Sequence, residues 1–187
     1  GDFSSLLHLV DAVGFSPKLL DSIEGMFALV IYDSFQHRLC LARDRFGQKP
    51  LFYSVPNSLD KAFVCASHLD IFRELGFPSS ISSEQRLALL TLGYIPGSDT
   101  TFNNVREVEP GCLLTVDLNS MSLSERCFVR DSALLESAQC LDAAMSKAVT
   151  LCLHGDQPIS LLISGGIDSS TVTAYIAKYF DQSITNL

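Results

Sequence analysis

No block of lysine or arginine occurs anywhere in the 187 residues, and the formal net charge is −8. A nucleic-acid partner needs a basic stripe that displaces phosphate counterions, so none is expected. A small anion such as ATP stays admissible, because backbone amides and a metal ion can supply the local positive field. No CxxC pair occurs among the six cysteines, which stand at 40, 65, 112, 127, 140 and 152. That spacing argues against a structural zinc site and against a tight disulfide framework. Isolated cysteines read instead as small core residues in a reducing compartment. The longest apolar run, residues 26–32, is far too short to span a bilayer, so no membrane partner is expected. No basic-then-apolar leader opens the chain, and the expected location is cytoplasmic.

What is present is enough to build a core. Apolar residues make up 47% and charged residues 18%, a globular composition with room for one domain or parts of two. Ser4-Ser5 ahead of Leu6, Leu7, Leu9, Val10 and Val13 predicts a capped helix that Gly14 ends. Residues 27–32 and 38–43 read as two strands of a hairpin, with Asp33-Ser34 starting the turn. Residues 51–54 and 62–66 follow as further strands of an antiparallel meander with one aromatic-rich face. Two helices are expected over 68–75 and 83–92, the second capped by Ser82 or Ser83. Another strand is expected over 112–116, with a polar turn at Asn119-Ser120. A composition shift near residue 130 marks a domain boundary. Beyond it, an apolar stripe from Leu134 to Cys152 predicts a long helix. A nearly all-apolar run over 159–163 suits a parallel strand covered on both faces.

The segment Ser164-Gly165-Gly166-Ile167-Asp168-Ser169-Ser170 follows that strand directly, and a helix is expected over 171–180. Two consecutive glycines let a polyphosphate approach the backbone. The helix N-terminus offers free amides and the positive end of its dipole. Hydroxyls of Ser164, Ser169 and Ser170 can donate to phosphate oxygens, and Asp168 can hold magnesium through one carboxylate. This is no Walker loop, because the GxxxxGK[ST] spacing and its lysine are missing. The plainer alternative is a Gly-Gly turn with Asp168 or Ser169 capping a helix. Strand, loop, acidic residue and helix in one register favour the phosphate loop. Arg43 and Asp44 read as a strand-end charge pair that holds the turn before Pro50. The four histidines are scattered, and surface or packing roles suit them.

Residues 163–170 resemble the SGGxDS loop of the ATP pyrophosphatase group, whose members cleave ATP to AMP and pyrophosphate. Upstream, Gly25-Met26-Phe27-Ala28-Leu29 and Ala42-Arg43-Asp44-Arg45-Phe46-Gly47-Gln48-Lys49-Pro50-Leu51-Phe52-Tyr53 resemble the glutaminase domain of glutamine-hydrolysing asparagine synthetase. Gly93-Tyr94-Ile95-Pro96 and Glu109-Pro110-Gly111 do so as well. The resemblance implies an α/β fold in a broad sense. Residues 1–130 would be the C-terminal part of an α+β N-terminal-nucleophile hydrolase, a class II amidotransferase. Residues 131–187 would begin a parallel-sheet adenine-nucleotide domain of ATP pyrophosphatase type, and both parts would be incomplete.

The same resemblance implies ATP and magnesium as cofactors, with glutamine, aspartate and ATP as small-molecule substrates. A homodimer is the assembly it allows for the parent enzyme. Leu162 and the loop residues Ser164, Gly165, Gly166, Asp168, Ser169 and Ser170 match ATP-binding positions, and Asp168 matches a magnesium ligand. Asp2 matches an aspartate that helps bind the α-amino group of glutamine, although it could equally cap the first helix. The family's nucleophile is the thiol of an N-terminal cysteine, and no residue here takes that part. The chain opens on Gly1-Asp2 and stops soon after a loop that ordinarily opens a domain, so a piece of a longer enzyme is expected. Ser67-His68 stands where the family has Ser-Glu, and Cys127-Phe128 where a Tyr-Trp type pair is usual. These departures leave other readings open. They include a different carboxylate acceptor, a β-lactam-synthetase-like cyclase, and a non-catalytic assembly protein that keeps the fold.

Overall fold

Apolar runs and tight polar turns between Ala28 and Cys127 build antiparallel strands. The computed structural model describes residues 3–56, 62–128, 140–153, 159–179 and 185–186. The chain divides into two compact units, Gly1–Arg130 and Asp131–Leu187. In the first, α1 (Phe3–Val13) ends where the Gly14 amide bonds the Val10 carbonyl. A short α2 (Pro17–Asp21) follows, with Ser16 as N-cap and Pro17 at the first helical position, the arrangement a Ser-Pro step favours.

Strands β1 (Ala28–Asp33) and β2 (Arg38–Arg43) pair as the expected hairpin, Ala28 opposite Arg43 and Asp33 opposite Arg38. Asp33 Oδ1 closes the turn by accepting from the amides of Phe35 and Gln36. Beyond β2 the structure departs from a single meander. Strands β3 (Phe52–Ser54), β4 (Cys65–Ala66) and β5 (Val105–Glu107) form their own sheet, in the order β4-β3-β5. Strands β6 (Cys112–Asp117) and β7 (Ser122–Cys127) return to the first sheet, giving the order β1-β2-β6-β7. Strands β5 and β7 were not expected. The first has three residues, and the second is a polar edge strand without an apolar rhythm.

The turn that separates the sheets is pinned from inside. Asp44, 1% exposed, accepts four amides: Phe27 and Lys49 on Oδ2, Phe46 and Gln48 on Oδ1, at 2.9–3.2 Å. Burial pushes this carboxyl up, but the amides of Gln48, Lys49, Phe27 and Phe46 outweigh it and hold it below the usual carboxylate range. Arg43 donates to the carbonyls of Lys49, Val108 and Gly47 and pairs with Glu107 at 2.8 Å. The expected Arg43–Asp44 charge pair is therefore corrected: consecutive residues at a strand end point apart and serve different partners. Gly47 has φ +62°, and a Cβ there would lie 2.9 Å from both the Arg43 guanidinium carbon and Pro110 Cγ.

Because β2 and β6 are central, both of their faces are buried. Leu41, Leu114 and Val116 pack with Leu51, Tyr53 and Val108 on one side. Cys40, Ala42 and Leu113 pack with Leu20 and Phe128 on the other. Each fully buried leucine is worth about 2–3 kcal/mol of transfer free energy. A third cluster joins Phe72 of α3 (Asp70–Glu74) to Phe102 and Val105. Helix α4 (Ser83–Leu92) carries a complete capping box between Ser82 and Gln85 and ends at Gly93.

The cysteine expectation is corrected at one place. Cys112 and Cys127 stand directly opposite each other on β6 and β7, with Cα atoms 4.0 Å apart, and form a disulfide. Without β7 in view, the sequence offered no reason to pair them. Cys40, Cys65, Cys140 and Cys152 are free.

In the second unit, α5 (Leu141–Cys152) covers part of the expected long helix, whose earlier residues lie outside the described ones. Strand β8 (Ser160–Leu161) pairs in parallel with β9 (Thr185–Asn186). Helix α6 (Ile167–Tyr179) starts four residues before the expected position. Among the described residues, no helix is long and apolar enough to cross a membrane.

Candidate nucleotide-binding loop

A parallel strand, a five-residue connection that ends in the glycine turn, and a helix follow one another. Leu161 ends β8, and Ile167 starts α6. Asp168, Ser169 and Ser170 therefore sit in the helix's first turn and not in the loop before it. Asp168 is favoured there, since its negative charge complements the positive end of the dipole. The first closed bond of the turn runs from the Ser170 amide to the Gly166 carbonyl at 3.0 Å. Amides ahead of Ser170 are those an α-helix leaves without an internal acceptor, so they can bind an anion.

Gly165 has φ +77°, and a Cβ built on it meets nothing within 4 Å. At Gly166 a Cβ would meet only Ser164 Oγ, at an ordinary 3.6 Å. Glycine is thus required at 165 by backbone conformation. Among the described residues, no atom lies within 4 Å of a Cβ added at Gly165, and that side of the turn is open to a ligand.

Two serine hydroxyls form a relay. Ser169 Oγ donates to the Gly166 carbonyl at 3.1 Å and lies 3.1 Å from Ser164 Oγ. Ser169 has one hydroxyl proton, so Ser164 must be the donor between them. Both protons are used inside the turn, and donation to a phosphate requires the hydroxyls to rotate. Sequence reasoning could not see this relay, because it depends on the helix starting at Ile167. Asp168 is exposed. Among the described residues, no group of three His, Cys, Asp or Glu side chains could hold a metal. One carboxylate fits magnesium only if water and substrate phosphates complete the shell, which is this ion's usual manner of binding.

The helix behind the loop is tied to α5. Asp142 accepts from Tyr175 at 3.0 Å and Tyr179 at 3.2 Å, with Lys178 Nζ at 3.6 Å. The Tyr175 hydrogen bond leads in holding the Asp142 carboxyl below its usual range. Leu162 is 78% and Ile167 85% exposed, so the apolar residues flanking the loop face outward. The structure brings Ser164, Gly165, Gly166, Asp168, Ser169 and Ser170 into one turn, with Leu162 just before it. Asp2 and His154 lie outside the described residues.

Comparison with known proteins places two families along the chain. Residues 1–128 match the glutamine amidotransferase domain family, and residues 141–186 match the asparagine synthase family. A putative asparagine synthetase (glutamine-hydrolyzing) of Mycobacterium tuberculosis is 28% identical over 181 residues, covering 90% of this chain and 27% of that protein. Asparagine synthetase (glutamine-hydrolyzing) 3 of Bacillus subtilis is 27% identical over 189 residues, covering 97% of this chain and 30% of that protein. The chain thus spans less than a third of the length of these two relatives. Among solved structures, the glutamine phosphoribosylpyrophosphate amidotransferase of B. subtilis is similar at a TM-score of 0.47 and 17% identity, covering 100% of this chain and 38% of that one.

Proposed function

Because this chain belongs to the glutamine-hydrolysing asparagine synthetase family, with a glutamine amidotransferase domain over residues 1–128, we propose that it is part of an ATP-dependent carbon–nitrogen ligase that amidates aspartate. Residues 1–130 would contribute to the domain that hydrolyses glutamine to glutamate and ammonia. Residues 131–187 would contribute to the domain that joins the aspartate carboxylate to AMP, releasing pyrophosphate. Ammonia would then displace AMP from the acyl-adenylate.

The observation that carries this proposal is the open turn at Gly165, set between a parallel strand and the N-terminus of α6. Such a junction presents several amides to one anion at once. Ser164, Ser169 and Ser170 would turn their hydroxyls toward the polyphosphate, and Leu162 would pack against the nucleotide. Asp168 would hold the magnesium ion, whose positive charge offsets that of the phosphates. In the first unit, Asp2 would bind the α-amino group of glutamine. A cytoplasmic, homodimeric enzyme is the setting in which this activity is proposed.

The test is Asp168→Ala in the full-length enzyme, with pyrophosphate release and glutamine hydrolysis measured in parallel. Pyrophosphate release is expected to disappear while glutamine hydrolysis continues. Unchanged pyrophosphate release would refute the role of the loop.

A further inference from the structure

Strand β7 is the edge of its sheet, and its residues from Ser122 to Cys127 are exposed except for half-buried Leu123. Of its side chains, Leu123 alone joins the packed clusters among the described residues. An edge strand with so little burial has few contacts of its own to hold it. Its far end is nevertheless fastened three times. The Phe128 amide bonds the Gly111 carbonyl at 2.9 Å. The Phe128 ring is buried and stacks on Phe27 at 6.4 Å. Cys127 is joined to Cys112.

The two sulfurs are not equivalent. Cys112 is 1% exposed, whereas Cys127 is exposed. Cys127 also lines an open cleft of about 300 Å³ with Pro17, Lys18, Asp21 and Phe128. A thiol reagent can therefore reach one end of the bond and not the other.

We propose that Cys112 and Cys127 are a reversible thiol–disulfide couple that locks the last strand of the first unit to its sheet. In the opening step, a thiolate of an external dithiol forms a bond to Cys127 Sγ. The Cys112–Cys127 bond breaks, and its electron pair leaves on Cys112 Sγ, which takes up a proton. The second thiolate of the dithiol then displaces Cys127 from the mixed disulfide. The protein pair is reduced to two thiols and the dithiol is oxidised to a disulfide; closing runs the same steps in reverse. Because Cys127 is exposed and Cys112 is buried, Cys127 is the sulfur that meets the external disulfide in the first closing step, and Cys112 then displaces the dithiol from it. This couple does not depend on the proposed nucleotide site.

The test equilibrates the full-length protein in mixtures of reduced and oxidised dithiothreitol, quenches with an alkylating agent and maps tryptic peptides. Cleavage after Arg126 puts the two cysteines on separate peptides, so only a disulfide keeps them together. Linked peptides are expected under oxidising mixtures and alkylated separate ones under reducing mixtures, with return on reoxidation. Exposed Cys140 and Cys152 should be alkylated throughout. Reduction is expected to lower the Tm by roughly 5–10 °C, the scale set by a bridge closing a short loop. Cys127→Ser, an exposed substitution, should show the lower Tm in every mixture. Peptides that never link, a link that no mixture reduces, or a Tm that ignores the state of the pair would each overturn the proposal.

Discussion

In the first unit Leu20, Leu41, Ala42, Phe72, Val108 and Val116 have no exposed surface, whereas Val149 and Ile176 alone are buried among the described residues of the second. Among the described residues, three apolar clusters hold the first unit together. In the second, two helices are tied by polar contacts to Asp142, and the strand–loop–helix junction keeps its apolar neighbours outside. Stability thus resides where apolar area is removed from water, and the proposed ligand site lies where the backbone is left open. A glycine turn that binds an anion cannot also be filled by its own side chains.

That contrast can be broken by mutation, starting where the effect is largest. Asp44→Ala removes the acceptor of four amides in a buried turn and is expected to cost about 3–6 kcal/mol, since donors left without partners bear their full desolvation penalty. Urea unfolding followed by far-UV circular dichroism would measure it. Asp44 also sets a pH dependence. Its folded pKa is depressed, so its contribution is complete above the ordinary value near 3.8 and is lost as pH falls through the folded value. Asp44→Asn should remove that acid-side loss and leave a lower, flatter stability curve below pH 4.

Leu41→Ala is next, at about 2–5 kcal/mol for a fully buried leucine. Gly165→Ala follows, at about 1–2 kcal/mol, because an L-residue at φ +77° is strained even where the Cβ meets nothing. The smallest effect is expected for Leu162→Ala, within about 0.5 kcal/mol, as for other exposed positions. Equal losses for Leu41→Ala and Leu162→Ala in parallel unfolding experiments would erase the comparison.

Legibility followed the same division. Strand β2 was readable to its end residues, because an apolar run between two arginines has sharp edges. Ser82 was readable as a cap, and Gly14 as a stop. The two-sheet arrangement was not, since it depends on Arg43 and Asp44 turning away from each other toward partners as distant in sequence as Val108. Strand β7 carries serines and charges because one edge faces solvent, and missing it also hid the Cys112–Cys127 pair. At the loop, the glycines and the acidic residue were readable as a phosphate-binding pattern. The helix start at Ile167 was not, because Asp168, Ser169 and Ser170 look equally natural in a loop and in a first helical turn. The hydroxyl relay between Ser164 and Ser169 followed from that one misplaced boundary.

The most direct test of the proposed nucleotide loop is amide hydrogen exchange of the full-length protein with and without magnesium and ATP, read peptide by peptide. Slower exchange is predicted across residues 164–170, with no change in β2 and β6. Protection confined to the first unit, or none at saturating ATP, would contradict a nucleotide site at the turn that Gly165 leaves open.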